Sequence, residues 1–393
     1  MSLVTKHVHI LGLGNVGCFF AHNLQIADKV APISLLFHRK SLAEEWDNAS
    51  RRISITTDDS NSSQGTVTAC SHAYGIESIS PPSSEQSHIH NLIVATKSYQ
   101  TLEALSAIRH RLTSKSTLLF VQSSLEIISK INHNLFSDPY TRPSYLIALV
   151  SHGLFSIAPF KSVYKGQGRV LLGHISEPSA MTSTLVERIL AASTLNATYF
   201  DRDDLRNFHL EKLIADAIIN PLTALFRCRN GHLFWNGIAR KPLKKLTKRL
   251  VLEINQALFK LDDEIGSIDP DRFAVSNMEI MVFGTARKTR SNLTPMLQDV
   301  LRQRQTEIDS INGWIVEEGE KRGVDMQCNK TLIELVKKGE KLNEDQIETH
   351  FPGTISCQEM NAWNQELHEL KLGGFQSSKK FLYNERKECV NAW

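Results

Sequence analysis

The feature that most limits what this chain can fold into is the loop Gly12-Leu13-Gly14-Asn15-Val16-Gly17, because of what flanks it. A strand-like run at residues 7–11 leads into the loop. An apolar-faced helical pattern at residues 18–27 leads out, and a second strand pattern follows at Ile33-Ser34-Leu35-Leu36-Phe37. Each glycine has its own physical reason. Gly12 allows a tight turn out of the strand, Gly14 lets the backbone approach a pyrophosphate, and Gly17 permits close packing of helix on strand. The helix N-terminus then offers unpaired N–H groups and a favourable dipole to an anion. The pattern predicts a dinucleotide-binding β-α-β unit whose contacts come from Gly12, Leu13, Gly14, Asn15, Val16 and Gly17.

The end of the second strand narrows the cofactor. Where an NAD-preferring protein places an acid for the ribose hydroxyls, this chain has His38-Arg39-Lys40 and no carboxylate until Glu44. A solvated basic turn would also explain these residues, but beside the glycine loop they point to a 2′-phosphate and so to NADP(H). Arg39 is the preferred partner, because its planar fork matches a phosphate.

Beyond this unit, strand-like runs return at residues 91–96, 117–122 and 145–150, separated by helical stretches at 101–109 and 125–132. This alternation predicts an α/β fold with an N-terminal Rossmann-like, doubly wound, mainly parallel sheet. Residues 49–90 are rich in Ser, Thr, Asn and Asp and predict loops, with short strands at residues 53–56 and 67–69. From about residue 181 the pattern turns helical, at 182–192, 204–228, 241–261, 294–321 and 330–341. An all-helical C-terminal domain is therefore expected. The domains are expected at residues 1–180 (cofactor), 181–346 (substrate and dimerisation) and 347–393, an extension with one amphipathic stretch at 359–372.

Bulk properties agree with two domains, since 393 residues exceed the roughly 250–300 at which a single core stops growing. A net charge of +3 disfavours a dominant nucleic-acid surface and suits small-molecule partners. The six cysteines show no Cys-x-x-Cys or Cys/His ligand spacing, so neither a zinc module nor a disulfide scaffold is expected, and no metal is assigned. With no apolar run of membrane-spanning length, no membrane partner is expected. The expected compartment is the cytoplasm, with mitochondria left open.

Several further segments converge on one family. They are Val94-Ala95-Thr96-Lys97-Ser98-Tyr99-Gln100, Ser151-His152-Gly153, Glu211-Lys212-Leu213 leading to Asn220-Pro221-Leu222-Thr223-Ala224, and Gln298-Asp299 leading to Thr306-Glu307-Ile308-Asp309 and Ile311-Asn312-Gly313. In this order, over residues 7–340, the chain resembles ketopantoate reductase (2-dehydropantoate 2-reductase), especially its fungal forms. The resemblance implies NADPH-dependent reduction of 2-dehydropantoate to pantoate, in pantothenate biosynthesis, by a Rossmann domain joined to a helical domain. It implies Lys212 as general acid and Glu307 as the acid that holds the substrate hydroxyl. Lys97 matches a lysine near nicotinamide and substrate, and Asn220 and Asn230 match substrate-binding asparagines. The family's helical domain often supports dimers, so a homodimer is an open expectation.

Helical spacing agrees with the role of Lys212. Lys212, Asp216, Asn220 and Thr223 recur at four, eight and eleven residues and lie along one helix face. Pro221 removes the N–H that would bond the Ala217 carbonyl, which frees backbone groups there for a ligand. Each residue also has a plainer explanation: a Lys–Asp surface pair for Lys212, a loop cation for Lys97, a turn for Asn230, a surface pair with Arg304 for Glu307.

Three departures from the family fall on the substrate side. Gln122-Ser123-Ser124 stands for Gln-Asn-Gly, leaving Ser123 as a shorter donor at the cofactor and substrate. Asp216 stands for an asparagine, and its carboxylate would repel a substrate carboxylate and hold the Lys212 proton more tightly. Pro295 stands for a serine and offers neither hydroxyl nor N–H. These changes keep two other readings open: reduction of a different carbonyl compound, and a catalytically silent relative that binds RNA in translation through Arg240, Lys241, Lys244, Lys245, Lys248 and Arg249. No aromatic stacking platform accompanies that basic cluster.

Overall fold

The computed structural model describes residues 6–58, 66–79, 87–122, 124–175, 182–234, 241–261 and 268–352. The chain divides into two compact units, Met1–His209 and Leu210–Trp393.

In the first unit β1 (Val8–Leu11) runs into α1 (Asn15–Ala27) and on to β2 (Ile33–Phe37), the β-α-β unit expected around the glycine loop. After α2 (Ser41–Asn48), β3 (Ile53–Asp58) and β4 (Thr66–Ser71) come β5 (Gly75–Ser78) and β6 (Asn91–Val94). They are followed by α3 (Ser98–Ala107), β7 (Thr117–Phe120), α4 (Ile127–Asn134), β8 (Ser144–Val150), β9 (Gly153–Ala158), β10 (Lys161–Gly166) and β11 (Val170–His174). The unit closes with α5 (Thr182–Ala191) and β12 (Ala197–Tyr199).

Eight strands form one sheet in the order β5-β2-β1-β6-β7-β8-β11-β12. All neighbouring pairs are parallel except β8 with β11. Strand order therefore reverses beside β1, and the ends of β1 and β6 flank the switch point where ligands bind in open α/β sheets. The strands β1, β2, β6 and β7 are buried along their whole length, which explains their unbroken apolar runs.

The Ser/Thr-rich region is more ordered than the sequence suggests. β3 and β4 pair with β9 and β10 in a second sheet of order β4-β3-β10-β9, where Ser54 lies opposite Lys161. Helix α1 is buried on every side between the two sheets, so Phe19 stacks on Tyr164 at 5.7 Å while its neighbours reach the large sheet. The short strands expected at residues 53–56 and 67–69 form as β3 and β4, while β9, β10 and the pairing were not expected, because those strands are short and half polar and the central pairing spans about a hundred residues. The helix at 182–191 and strand β12 also continue the first unit, beyond the residue at which a change to the helical domain is expected.

In the second unit the described residues are helical. α6 (Arg202–Phe226) crosses the division, followed by α7 (Asn230–Phe234), α8 (Lys241–Phe259), α9 (Val275–Lys288), α10 (Pro295–Leu301), α11 (Trp314–Lys321), α12 (Gln327–Lys337) and α13 (Ile347–His350). Leu243, Leu246, Leu250, Ile254 and Leu258 recur at helical spacing, are buried, and make α8 the element on which α9, α11 and α12 pack. The single helix expected at 294–321 is broken. α10 ends at Leu301, and a π-helical turn at Asp309–Gly313 leads into α11.

No described helix is long and apolar enough to cross a membrane. Ser123, Arg240, the 359–372 stretch and almost all of the 347–393 extension lie outside the described residues.

Candidate active site

The glycine loop sits at the carboxyl end of β1, and its three glycines face three different surroundings. Gly12 has φ +97° and passes so close to the next loop that a Cβ would lie 2.5 Å from the Ala95 carbonyl carbon and the Thr96 nitrogen. That approach is locked by the Ala95 N–H, which donates to the Leu11 carbonyl at 2.7 Å. A Cβ on Gly17 would lie 1.9 Å from the Gly12 oxygen, so helix and turn can meet only without one. Gly14 has nothing within 4 Å of a built Cβ and is exposed. The backbone is thus bare where an anion would approach, and crowded where it would not.

Gly14 caps α1 without a side-chain hydrogen bond, so the first amides of α1 point outward unpaired by any cap. Leu13 and Val16 pack on the core, and Asn15 accepts from the Ser162 hydroxyl at 2.9 Å. These three residues offer a ligand mainly their backbone. Cys18, one turn in, is inert: burial pushes its thiol up to about 12, and its Sγ lies 3.4 Å from the Leu13 carbonyl it donates to.

Arg39 follows β2 and is half exposed. Its guanidinium is engaged in a bidentate pair with Glu45, at 2.5 and 3.0 Å, and also reaches Ser41. Burial and the neighbouring Arg39 charge lower the pKa of His38, which leaves Arg39 and Lys40 as the cations of this turn at neutral pH. A phosphate here would share Arg39 with Glu45 or displace it.

Lys97 precedes α3, half-buried, with its carbonyl accepting from the Gln100 N–H and the Thr101 hydroxyl. Gln122, at the end of β7, donates to Thr101 at 2.5 Å, and Thr101 meets Thr96 at 2.9 Å. The Gln122 Oε1 and Ser124 Oγ atoms are buried with no hydrogen-bond partner among the described residues. Two orphaned polar atoms at the carboxyl end of the sheet suit a ligand that would pair with them. His152 is structural. It bonds the Leu195 carbonyl, Tyr164 and the Gly168 N–H, and burial keeps it neutral.

In the second unit, α6 carries the polar stripe. Lys212 Nζ lies 3.0 Å from Asp216 Oδ2, both about one-fifth exposed, so the ion pair expected from their spacing forms. The stripe then sinks into the core: Asn220 is buried, and Thr223 is fully buried and bonded to Thr294 at 2.7 Å. Glu211, beside Lys212, is held by Arg272 at 2.8 Å.

One expectation changes here. The Ala217 carbonyl that Pro221 leaves without a helical partner is not open to a ligand, because Asn312 donates to it at 2.8 Å. Asn312 in turn meets Asn329, which bonds the buried Glu253 at 2.8 Å. The Asn-Gly motif is thus the clamp that docks the π-turn segment on α6. Pro295 also has a local reason, since it occupies the first position of α10, where a missing N–H costs nothing.

Glu307 lies just ahead of the π-helical turn, half-buried, with its carbonyl accepting from Ile311 and Ser310. The Asn312 clamp brings this segment to α6 one residue beyond Asp216. Asn230 begins α7 and donates to Thr289 at 2.8 Å, while its Oδ1 is buried with no partner among the described residues. In the basic cluster, Arg249 is paired with Glu253 and Asp325, so its charge is partly spent within the fold.

Comparison with known proteins completes the picture. Residues 8–177 match the profile described as ketopantoate reductase PanE/ApbA, and residues 204–340 match that of its C-terminal part. A probable 2-dehydropantoate 2-reductase of Schizosaccharomyces pombe is 28% identical over 350 residues, covering 86% of this chain and 97% of that protein. A ketoisovalerate reductase of Gibberella fujikuroi is 24% identical over 394 residues, covering 87% and 85%. Among solved structures, a D-mandelate dehydrogenase with NADH and anilino(oxo)acetate superposes with TM-score 0.67 at 20% identity, covering 87% of this chain and 99% of that one.

Proposed function

The chain belongs to the ketopantoate reductase family, and we propose that it reduces the keto group of a 2-oxo acid with NADPH, converting 2-dehydropantoate to pantoate, with Lys212 as the proton donor. The observation that carries this reading is Lys212, kept on the family's helix motif and presented part-exposed, with Asp216, at the head of a stripe whose other members, Asn220 and Thr223, are buried. Nicotinamide neighbours support the cofactor class, and the bare Gly14 backbone, the uncapped start of α1 and the orphaned Gln122 and Ser124 atoms fit a dinucleotide.

The bound cofactor supplies hydride to the carbonyl carbon. Gly12 to Gly17 would hold its pyrophosphate through backbone amides and Arg39 its 2′-phosphate, and the family resemblance assigns Lys97 and Ser123 to binding it as well. As negative charge grows on the carbonyl oxygen, the Lys212 ammonium stabilises it and gives it a proton, which solvent restores to the lysine. Asn220 and Asn230 would orient the substrate, with the Asn230 Oδ1 available to accept. Glu307 would accept from a substrate hydroxyl, which favours ketopantoate over an analogue without one.

A second substrate is favoured by one observation, the Lys212–Asp216 pair. A carboxylate 3.0 Å from the proton donor opposes a 2-oxo acid more than a neutral ketone; a relative named for ketoisovalerate, itself a 2-oxo acid, instead supports a change of acyl group with the carboxylate kept. The test is NADPH titration followed, on the same sample, by NADPH oxidation with ketopantoate, ketoisovalerate and a neutral ketone. Turnover of ketopantoate above the others supports the leading reading. Binding of NADPH with turnover of the neutral ketone alone moves the assignment to a different carbonyl.

A further inference from the structure

At the opposite end of β1 from the glycine loop lies a polar cluster that the proposed reaction does not use. His7 and His9 alternate along the strand, so both imidazoles fall on one side of the sheet, with ring centroids 4.2 Å apart. His9 pairs in register with Ser34 of β2, which lies opposite Gly75 of β5, and Glu77 is two residues further along β5 on the same face. One ligand atom from each of His7, His9 and Glu77 lies within 4.8 Å of the other two.

The cluster is built, not incidental. His9 is 2% exposed, its Nε2 meets Glu77 Oε1 at 3.2 Å, and its Nδ1 has no hydrogen-bond partner among the described residues. A buried imidazole held against a carboxylate, with one ring nitrogen unsatisfied, is an arrangement that a cation shared between the two would stabilise. The surrounding groups hold the other two donors in place. Ser34 Oγ meets His7 Nε2 at 2.9 Å, and Arg111 Nη2 takes Glu77 Oε2 at 2.7 Å, leaving Oε1 turned toward His9. Glu77 and His7 are part-exposed, which gives a cation a way in.

We propose that His7, His9 and Glu77 form a binding site for a divalent transition cation of the zinc class. Two imidazoles and one carboxylate are ligands such a cation accepts, with a fourth position open to water. Ser34 and Arg111 act as the outer shell that orients the ligands. The buried Arg111 charge limits affinity, since it already balances Glu77. The site stands on β1, β2 and β5 at the edge of the fold away from the glycine loop, so its occupancy is expected to change stability and not NADPH binding. The sequence signal was His7-x-His9 on a strand, which cysteine spacing does not reveal.

The test uses the full chain, stripped with a chelator and titrated with zinc by calorimetry, with thermal unfolding read in parallel. One equivalent is expected to bind and to raise the unfolding temperature. His7→Ala and Glu77→Gln should each abolish the uptake, and Ser34→Ala should weaken it about tenfold. His9→Gln should also abolish it, and circular dichroism checks that this buried variant folds; His7→Ala, at a part-exposed position, decides the matter if it does not. No uptake by the unaltered chain, or uptake that His7→Ala leaves unchanged, overturns the proposal and leaves the cluster a buried ion network around Arg111.

Discussion

In the glycine loop each motif position meets its own constraint in the backbone, whereas along the stripe of α6 residues of equally regular spacing do unrelated work. Gly12 and Gly17 are glycine because a Cβ would strike backbone at 2.5 and 1.9 Å, and Gly14 is glycine where nothing is near. On α6, Lys212 and Asp216 pair near the surface, Asn220 and Thr223 are buried, and the carbonyl left by Pro221 is closed by Asn312. A site made of backbone is written in the local sequence. A site made of side chains depends on what other segments bring to it.

The loop offers the sharpest way to break this contrast. Gly17→Ala should lose about 3 kcal/mol of stability or more, since backbone must move to admit the methyl group. Gly14→Ala should leave stability within about 0.5 kcal/mol while weakening NADPH binding. Equal melting temperatures for the two variants would remove the distinction between crowded and bare glycines.

A second test addresses the helix behind the loop. Burial lowers the pKa of His22 to about 4 from an ordinary 6.5, and its Nδ1 meets the Ser71 hydroxyl at 2.8 Å. The unfolded chain therefore binds a proton that the folded one resists. His22 costs nothing above pH 6.5, and stability falls as the pH drops from 6.5 toward 4, by on the order of 3 kcal/mol. Denaturant melts between those values should show the slope, and His22→Gln should flatten it.

On α6 the corresponding variant is Asn312→Ala, which leaves the buried Ala217 carbonyl unpaired. The expected loss is about 1–3 kcal/mol of stability. A binding defect with unchanged stability would instead return that carbonyl to the site. The smallest effect is expected from Asp216→Asn, which removes a repulsive charge beside Lys212. It should lower the KM for ketopantoate by a few-fold, on the order of 1 kcal/mol or less for a part-exposed charge, and leave that for a neutral ketone unchanged.

The same contrast explains what could be read in advance. The strands β1, β2, β6, β7 and β8 follow from apolar runs separated by helical patterns, and each run is local, whereas β5 is exposed, carries no apolar run and falls in the segment expected to be loop. In the sheet of β3, β4, β9 and β10 the strands β3 and β4 are legible, but their pairing with β10 and β9 is not, because Ser54 finds Lys161 only through the folded chain. Lys212 and Asp216 pair as their spacing requires. Pro295 still offers a substrate neither hydroxyl nor N–H, and its place at the first position of α10 shows why the fold accepts it there. Glu45, which holds Arg39, lay six residues beyond it, on the next helix, and only the fold brings the two together.

The central claim is that Lys212 delivers the proton in a reduction supported by a dinucleotide held on the glycine loop. The most direct measurement compares the unaltered chain with Lys212→Ala for NADPH affinity and for ketopantoate-dependent NADPH oxidation in one preparation. The account predicts equal affinity and a fall in kcat of about 10²–10⁴-fold. Equal turnover in the two proteins, or none above background in either, would contradict it.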